Sequence, residues 1–238
     1  MPQKRAFDLS ADERAEMLRN LEFGVRTSEA AIARLARSSA AADYRRRRFV
    51  YRAGEAADSI FIITRGRIKL CRIEENSGRA ADVYILSAGA LFVESALFGL
   101  GLREKSAVAY ENSRLLRVPL ADFREGMAEH RALYDYTFGI IGQRLLKAEH
   151  RLADFALDAI PARLEKLLVE YSGRYGVIEA RGVLIDIPLP HREIASIVGS
   201  TRESVTVRLN ALRREGIIDF VNRKILIKRP DSLAAAWN

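Results

Sequence analysis

Residues 191–216 read His191-Arg-Glu-Ile-Ala-Ser-Ile-Val-Gly-Ser-Thr-Arg-Glu-Ser-Val-Thr-Val-Arg-Leu-Asn-Ala-Leu-Arg-Arg-Glu-Gly216, and this stretch decides the fold. Its first part predicts a short helix whose apolar stripe is made by Ile194, Ile197 and Val198. Gly199 follows, where a helix C-terminus favours a residue that is free to adopt positive φ. Ser200 or Thr201 then caps a second helix by offering a hydroxyl to its free N–H groups. The stretch therefore predicts a helix, a sharp turn and a second helix.

The predicted second helix has one apolar face and one polar face. At about 100° per residue, one face collects three apolar residues, Val205, Leu209 and Leu212. The opposite face carries Glu203, Thr206, Val207, Asn210 and Arg214, and Arg202 flanks the first turn. Such a face is typical of a helix that reads the major groove, because arginine bonds guanine through two donors and glutamate accepts from cytosine N4. An ordinary helical hairpin with a solvated polar face is the alternative.

The residues that follow favour a DNA reader over that alternative. Two apolar runs, residues 217–221 and 225–227, flank the polar pair Asn222-Arg223 and predict a β-hairpin with a tight turn. A helix–turn–helix followed by a hairpin is a winged helix. The segment Val198-Gly-Ser-Thr-Arg-Glu-Ser-Val205 closely resembles the recognition segment of the CRP/FNR family of bacterial transcription regulators.

Length, charge and cysteine count are consistent with this class of protein. The chain has 238 residues, enough for one large domain or two small ones, and a formal net charge of +8 that favours polyanionic partners such as nucleic acid. No apolar run approaches the roughly 18 residues of a membrane span, and no signal peptide is recognisable. A single cysteine, Cys71, excludes an internal disulfide. We therefore expect a cytoplasmic protein without a membrane partner.

Short strand-like runs separated by glycine-bearing turns lie between residues 41 and 120 and predict an all-β barrel or sandwich. This block resembles the cyclic-nucleotide-binding β-roll of the same family, at residues 52–58, 60–63, 66–70 and 89–94. The resemblance implies an α+β chain with a helical segment (1–40), a double-stranded β-helix or jelly-roll-like β-roll sensor (41–120), a dimerisation helix and hinge (121–158) and a winged helix-turn-helix DNA-binding domain (159–238).

The β-roll resemblance also indicates where a small effector would bind. In cyclic-AMP-responsive members, a Gly-Glu-Leu segment and an Arg-Ser pair hold the ribose and the phosphate. Glu94 and Ser106 match this pattern, whereas Val93 and Lys105 replace its glycine and its arginine. Basic residues near the dimer helix would suit an oxo-acid such as 2-oxoglutarate instead. The candidate effector-binding residues are Glu94, Ser95, Arg103, Lys105, Ser106, Arg144 and Lys147.

These departures change the expected cofactor. We expect another small effector, or none, rather than cyclic AMP. One cysteine cannot hold an iron–sulfur cluster, which needs several thiolates. Haem-binding members place a histidine in the segment that corresponds to residues 92–96, and this chain has none there. Neither haem nor an iron–sulfur cluster is therefore expected.

Residues 133–155 predict a long helix with a heptad-like apolar stripe, made by Phe138, Ile141, Leu145, Ala148, Leu152 and Phe155. A two-stranded coiled coil buries such a stripe, and packing against the sensor's own core is the alternative. We favour a homodimer, because paired recognition helices one DNA turn apart read a palindrome. Pro161 disfavours helical geometry in the residue before it, so we expect the hinge at residues 158–161.

The family resemblance implies a transcription regulator rather than an enzyme, with double-stranded DNA, a second copy of the chain and RNA polymerase as partners. It places Arg202 and Glu203 at base edges, and Ser200 and Thr201 at phosphates. Val207 stands where the cyclic-AMP receptor has an arginine, so it offers only apolar contact. The expected DNA-binding residues are Ser200, Thr201, Arg202, Glu203, Thr206, Val207, Arg208, Asn210 and Arg214. A regulatory β-roll subunit of an enzyme and a constitutive DNA-binding protein without an effector stay open.

Overall fold

The computed structural model describes residues 5–7, 9–73, 80–92, 94–99 and 101–234. The chain forms two compact units, one of residues 1–78 and 82–146 and the other of residues 79–81 and 147–238. Within the described residues, the first unit contains β1 (Arg5–Phe7), α1 (Ala11–Arg19), α2 (Glu22–Arg26), α3 (Glu29–Ser38), β2 (Ala40–Tyr44), β3 (Phe49–Tyr51), β4 (Ser59–Arg65), β5 (Arg67–Ile73), most of β6 (Ala80–Ser87), β7 (Leu91–Phe92), α4 (Glu94–Leu97), β8 (Ser106–Ala109), β9 (Ser113–Pro119) and α5 (Leu120–Glu129).

Two antiparallel sheets form the predicted β-roll. Five strands run in the order β1-β2-β9-β4-β7, and four run in the order β3-β8-β5-β6. Strand β4 is apolar at every central position because both of its faces are buried. Ile60 and Ile62 pack with the helices, whereas Phe61 and Ile63 pack inside the roll, so the strand is buried on both faces.

The N-terminal segment was predicted as helical, and its three helices are present. Helix α1 begins with a complete capping box, in which the Ser10 hydroxyl accepts from the Glu13 N–H and the Glu13 carboxylate accepts from the Ser10 N–H. Ser28 caps α3 through its hydroxyl alone, which accepts from the Ala31 N–H. The segment also contributes β1, which pairs with β2. A strand this short has no readable period and exists only through that pairing.

A long helix, α6 (Arg131–Leu157), crosses from the first unit into the second. It ends at Leu157, and the next helix begins at Ile160 with Pro161 in its first turn. The break therefore falls at residues 158–159, inside the expected hinge, whereas Ile160, which the proline was expected to keep out of helical geometry, is helical. Four large residues of the predicted stripe are exposed, with relative accessibilities of 45% to 71%: Phe138, Leu145, Leu152 and Phe155. Ile141 is half-buried and Ala148 is exposed.

The second unit is a winged helix. It contains the end of α6, α7 (Ile160–Tyr175), β10 (Gly176–Glu179), β11 (Gly182–Ile185), α8 (His191–Val198), α9 (Arg202–Arg214), β12 (Ile218–Val221), β13 (Lys224–Ile227) and α10 (Pro230–Ala234). Its sheet runs β10-β11-β13-β12. Asn222 and Arg223 connect β12 to β13 with φ values of 49° and 66°, which is the paired positive φ of a type I′ hairpin turn.

Candidate nucleic-acid interface

The turn between α8 and α9 follows from two residues. Gly199 adopts the left-handed conformation at φ 64°, and a Cβ at this position would overlap the Phe155 ring. Thr201 is the N-cap of α9, because its hydroxyl accepts from the Ser204 N–H at 3.1 Å. The sequence left Ser200 and Thr201 open as caps, and the structure selects Thr201. A tight left-handed turn and a capped start thus set the direction of α9.

One face of α9 is held in the core of the second unit. Val205, Leu209 and Leu212 are fully buried, as the four-three spacing predicted. The opposite face is open to solvent. Val207 lies at the centre of this open face and is 68% exposed, so it would offer its methyl groups to any partner.

Four polar or charged residues of the open face are exposed and make no side-chain hydrogen bond or ion pair with the described part of the chain. The side chains of Arg202, Glu203, Asn210 and Arg214 make no hydrogen bond or ion pair with any other residue that the structure describes. Two guanidinium groups and one carboxylate therefore lie on the outer face with no oppositely charged group in contact. A free guanidinium or amide keeps its hydrogen-bonding capacity for a partner, and base edges accept and donate such bonds.

Two other arginines of α9 are committed within the protein. The Arg208 Nε donates to Oε1 of Glu165 at 2.8 Å, and Glu165 is buried, with 5% of its side chain exposed. The Arg213 Nε lies 3.2 Å from Oδ1 of Asp219, in a more exposed ion pair. Arg208 was expected at DNA, whereas in the structure its guanidinium pairs with a buried carboxylate of α7.

Ser200 and Thr206 were also expected at DNA, and their hydroxyl groups are covered or bonded within the protein. The Ser200 Oγ is covered and has no hydrogen-bond partner among the described residues, so this hydroxyl does not reach the open face. The Thr206 Oγ1 donates to the Arg202 carbonyl at 2.8 Å and lies 2.8 Å from Nδ1 of His191. The Ser200 hydroxyl is thus buried in the turn before α9, and the Thr206 hydroxyl bonds back to its own helix, as threonine side chains on helices often do.

His191 is a residue that the sequence did not single out. It begins α8, and its ring lies 5.9 Å from the Phe220 ring. Burial lowers the pKa of His191 below its usual value, and the charge of Arg202 lowers it further. Arg223 is a second such residue, exposed at the tip of the hairpin. Its place in a two-residue turn was the only sequence feature that pointed to the tip of a wing.

The described side chains of the expected effector set contact other parts of the protein. The side chains of Glu94 and Ser95 lie outside what the structure describes. The Ser106 Oγ accepts from the Ala53 N–H at 3.0 Å, and the Lys105 ammonium lies 4.5 Å from the centre of the Tyr84 ring. The remaining members are committed elsewhere: Arg103 is buried in the roll, Arg144 donates to the Leu91 carbonyl, and Lys147 of the second unit pairs with Glu170. Each described member of the set therefore has a contact within the protein, and Arg103 and Arg144 both act electrostatically on Tyr51.

Two features bear on other kinds of site. Among the residues that the structure describes, no three His, Cys, Asp or Glu side chains gather as metal ligands would. No described helix has the length and apolar character needed to span a bilayer.

Two family models match the chain, and between them they cover both units. A cyclic nucleotide-binding domain matches residues 42–130, and a Crp-like helix-turn-helix domain matches residues 162–236. A CRP-like cAMP-activated global transcriptional regulator of Mycobacterium tuberculosis is 28% identical over 204 residues, which cover 86% of this chain and 91% of that protein. A global nitrogen regulator of Nostoc sp. is 29% identical over 193 residues, with 80% and 86% covered.

Solved structures show the same fold. A CooA mutant from Carboxydothermus hydrogenoformans superposes with a TM-score of 0.75 at 21% identity, and the match covers 98% of both chains. The order of β-roll, long helix and winged helix along the chain is therefore shared with that structure.

Proposed function

Because the chain belongs to the CRP/FNR family of transcription regulators, we propose that it reads a two-fold-symmetric promoter site as a homodimer, with α9 in the major groove. Arg202 and Glu203 contact base edges, and Thr201 and Arg214 contact the backbone around them. Asn210 and Val207 complete the reading face, with Val207 against an apolar group such as a thymine methyl. DNA, the second copy and RNA polymerase are the partners, in the cytoplasm.

The observation that carries this proposal is the contrast between arginines on one helix. Arg202 and Arg214 have no ion pair among the described residues, whereas Arg208 and Arg213 have carboxylate partners. A helix that served only as a solvated face would have no reason to separate its cations this way. The free cations lie with Glu203 and Asn210 on the side away from the core, where a groove would be approached.

The exposed stripe of α6 supports the homodimer. Phe138, Leu145 and Leu152 would each leave a large apolar surface in water in a monomer, and a second copy of the helix would cover them. Two copies of α9 related by a two-fold axis would then face successive major grooves.

Control by a small effector in the β-roll is the second part of the proposal. It rests on the cyclic nucleotide-binding domain match and on the M. tuberculosis relative, which is described as cAMP-activated. In this chain the described cassette residues Lys105 and Ser106 are engaged with protein partners, so an effector other than cyclic AMP is proposed. A constitutive DNA-binding protein is the alternative, and it predicts that no small molecule changes specific DNA affinity.

The test is selection of bound sequences from a random duplex library at about 0.15 M salt, where non-specific electrostatic binding is weakened. We expect a palindromic consensus from the wild-type protein. Arg202→Ala should lose preference at one position of each half-site, worth about 1–3 kcal/mol of discrimination. Arg214→Ala should weaken binding to all sequences alike and flatten the salt dependence. Equal losses on specific and scrambled DNA for Arg202→Ala would remove Arg202 from the reading face.

A further inference from the structure

The side chain of Arg163, on α7, bonds to the C-terminal ends of two other helices. Its Nη1 donates to the Asp158 carbonyl at 3.1 Å and to the Phe155 carbonyl at 3.4 Å. Its Nε donates to the Val198 carbonyl at 3.0 Å. Phe155 and Val198 belong to the last turns of α6 and α8, where carbonyl groups lack helical partners and a cation suits the helix dipole. One guanidinium therefore caps both helices.

The Phe155 ring connects the same two helices. The guanidinium carbon of Arg163 lies 4.8 Å from the centre of this ring. A Cβ at Gly199 would lie 2.4 Å from Cε1 of Phe155, so the ring packs against the bare backbone of the turn that leads into α9. The last turn of α6 thus contacts the turn before the reading helix, through one ring and one arginine.

Ion pairs hold the end of α6 to α7 as well. Lys147 pairs with Glu170, and Nζ of Lys166 lies 2.6 Å from Oδ1 of Asp154 and 2.6 Å from Oδ2 of Asp158. These side chains are 21% to 33% exposed, so solvent and salt screen the pairs less than they screen fully exposed ones. The end of α6 therefore belongs to the same compact unit as the winged helix.

This rigid connection bears on how a dimer would meet DNA. The end of α6 also carries Leu152, which is 71% exposed and belongs to the proposed dimer stripe. In a two-fold dimer, the separation of the two α9 helices depends on how each is fixed relative to that stripe. One added base pair moves a half-site about 3.4 Å along the DNA and rotates it about 34°. A rigid connection therefore penalises altered spacing, and a loose one tolerates it.

We propose that Arg163 is a positioning residue that sets the spacing between the two half-sites, by fixing α9 relative to the dimer stripe of α6. Arg163 lies on α7 and is no part of the reading face of α9, so its loss changes the spacing that is accepted and leaves the bases that are read. The inference rests on the proposed function, because it requires a homodimer that reads DNA.

The test uses the palindrome that the wild-type protein selects, in duplexes whose spacer is unchanged or is one base pair longer or shorter. We expect the wild type to lose at least about a hundredfold in affinity when the spacer changes, and Arg163→Met to lose less than about tenfold. Each ratio of affinities is measured on one preparation, so any unfolded fraction cancels. A duplex with a single half-site should bind both proteins within about twofold.

Two further variants control for charge and for folding. Arg174→Met is the matched control, since Arg174 is an exposed arginine of the same helix, and it should keep the wild-type spacing preference. Arg163→Lys keeps the charge but replaces the planar fork with a single ammonium group, so it should broaden the spacing to a smaller extent. It also provides the readout if Arg163→Met does not fold.

The outcomes separate this inference from the proposed function. An unchanged spacing preference in Arg163→Met, or in Arg163→Lys if only that variant folds, would overturn the inference alone. Weaker binding to the single half-site with the same spacing preference would assign Arg163 a structural role only, and equal broadening in Arg174→Met would reduce the effect to charge. A wild-type protein that selects no palindrome would overturn the proposed function, and the inference with it.

Discussion

Removal of either partner of the Arg208–Glu165 pair should destabilise the winged helix, and the two losses should be unequal. Glu165 has 5% of its side chain exposed, so Arg208→Ala strands a buried carboxylate. Removing one partner of a buried pair costs about 3–5 kcal/mol. Arg208 is 27% exposed and keeps Glu215 at 3.4 Å, so Glu165→Gln leaves a cation that retains water and a second carboxylate. We expect about 1–2 kcal/mol for that variant, since the glutamine amide keeps an acceptor oxygen for the two Arg208 donors and only the charge of the acceptor is lost.

Hydrogen–deuterium exchange of peptides from α7 and α9 measures this asymmetry, because it reports opening of the winged helix separately from the β-roll. Arg213→Ala is the matched control, because its ion pair with Asp219 is 58% exposed on the arginine side and should be worth less than about 1 kcal/mol. Duplex selection with Arg208→Ala should return the wild-type consensus. A loss below about 1 kcal/mol for Arg208→Ala, or a larger loss for Glu165→Gln, would refute the reasoning from burial.

Three other predictions concern the turn, the first residue of α8 and the dimer. Gly199→Ala should destabilise the winged helix by at least about 1–2 kcal/mol, which is the cost of left-handed backbone geometry for alanine. Adding Phe155→Ala to the same chain should restore only the part of the stability that is lost through overlap with the ring. Full restoration of stability in exchange experiments would contradict this. The folded-state pKa of His191 is lowered, so the unfolded chain binds more protons near pH 6.5, and stability should fall as pH drops through this range. His191→Gln should reduce the pH dependence of stability that is measured by hydrogen exchange in α8. An unchanged pH dependence would exclude His191 as its source. Leu152→Glu should convert a dimer to a monomer in sedimentation, whereas Glu149→Gln should not, and a dimeric Leu152→Glu would exclude the α6 stripe.

Much of the fold was predictable because its determinants are local. The spacing of Val205, Leu209 and Leu212 follows from helical geometry alone, and these residues are buried as predicted. Gly199 acts on its own backbone, so the turn was also predictable, and the break after α6 falls just ahead of Pro161, within the stretch where it was expected. The strand β1 was not, because a three-residue strand exists only through its pairing with β2.

The candidate site was only partly predictable. Sequence periodicity placed Glu203, Asn210 and Arg214 on an open face, and the structure leaves them exposed. The expected DNA-binding set also included Arg208, which pairs with Glu165, and Ser200, whose hydroxyl is covered. A helical pattern gives the angle at which a side chain leaves the helix but not the partner that it meets there.

The sequence by itself determined the secondary structure and the winged-helix pattern, because periodicity, caps and turn residues act over a few neighbouring positions. Only the tertiary structure decided which charges are free. Glu165 lies 43 residues from Arg208, and Val198 lies 35 residues from Arg163. Packing alone brings such groups together, and it alone sets the burial that makes one arginine a structural partner and leaves another exposed.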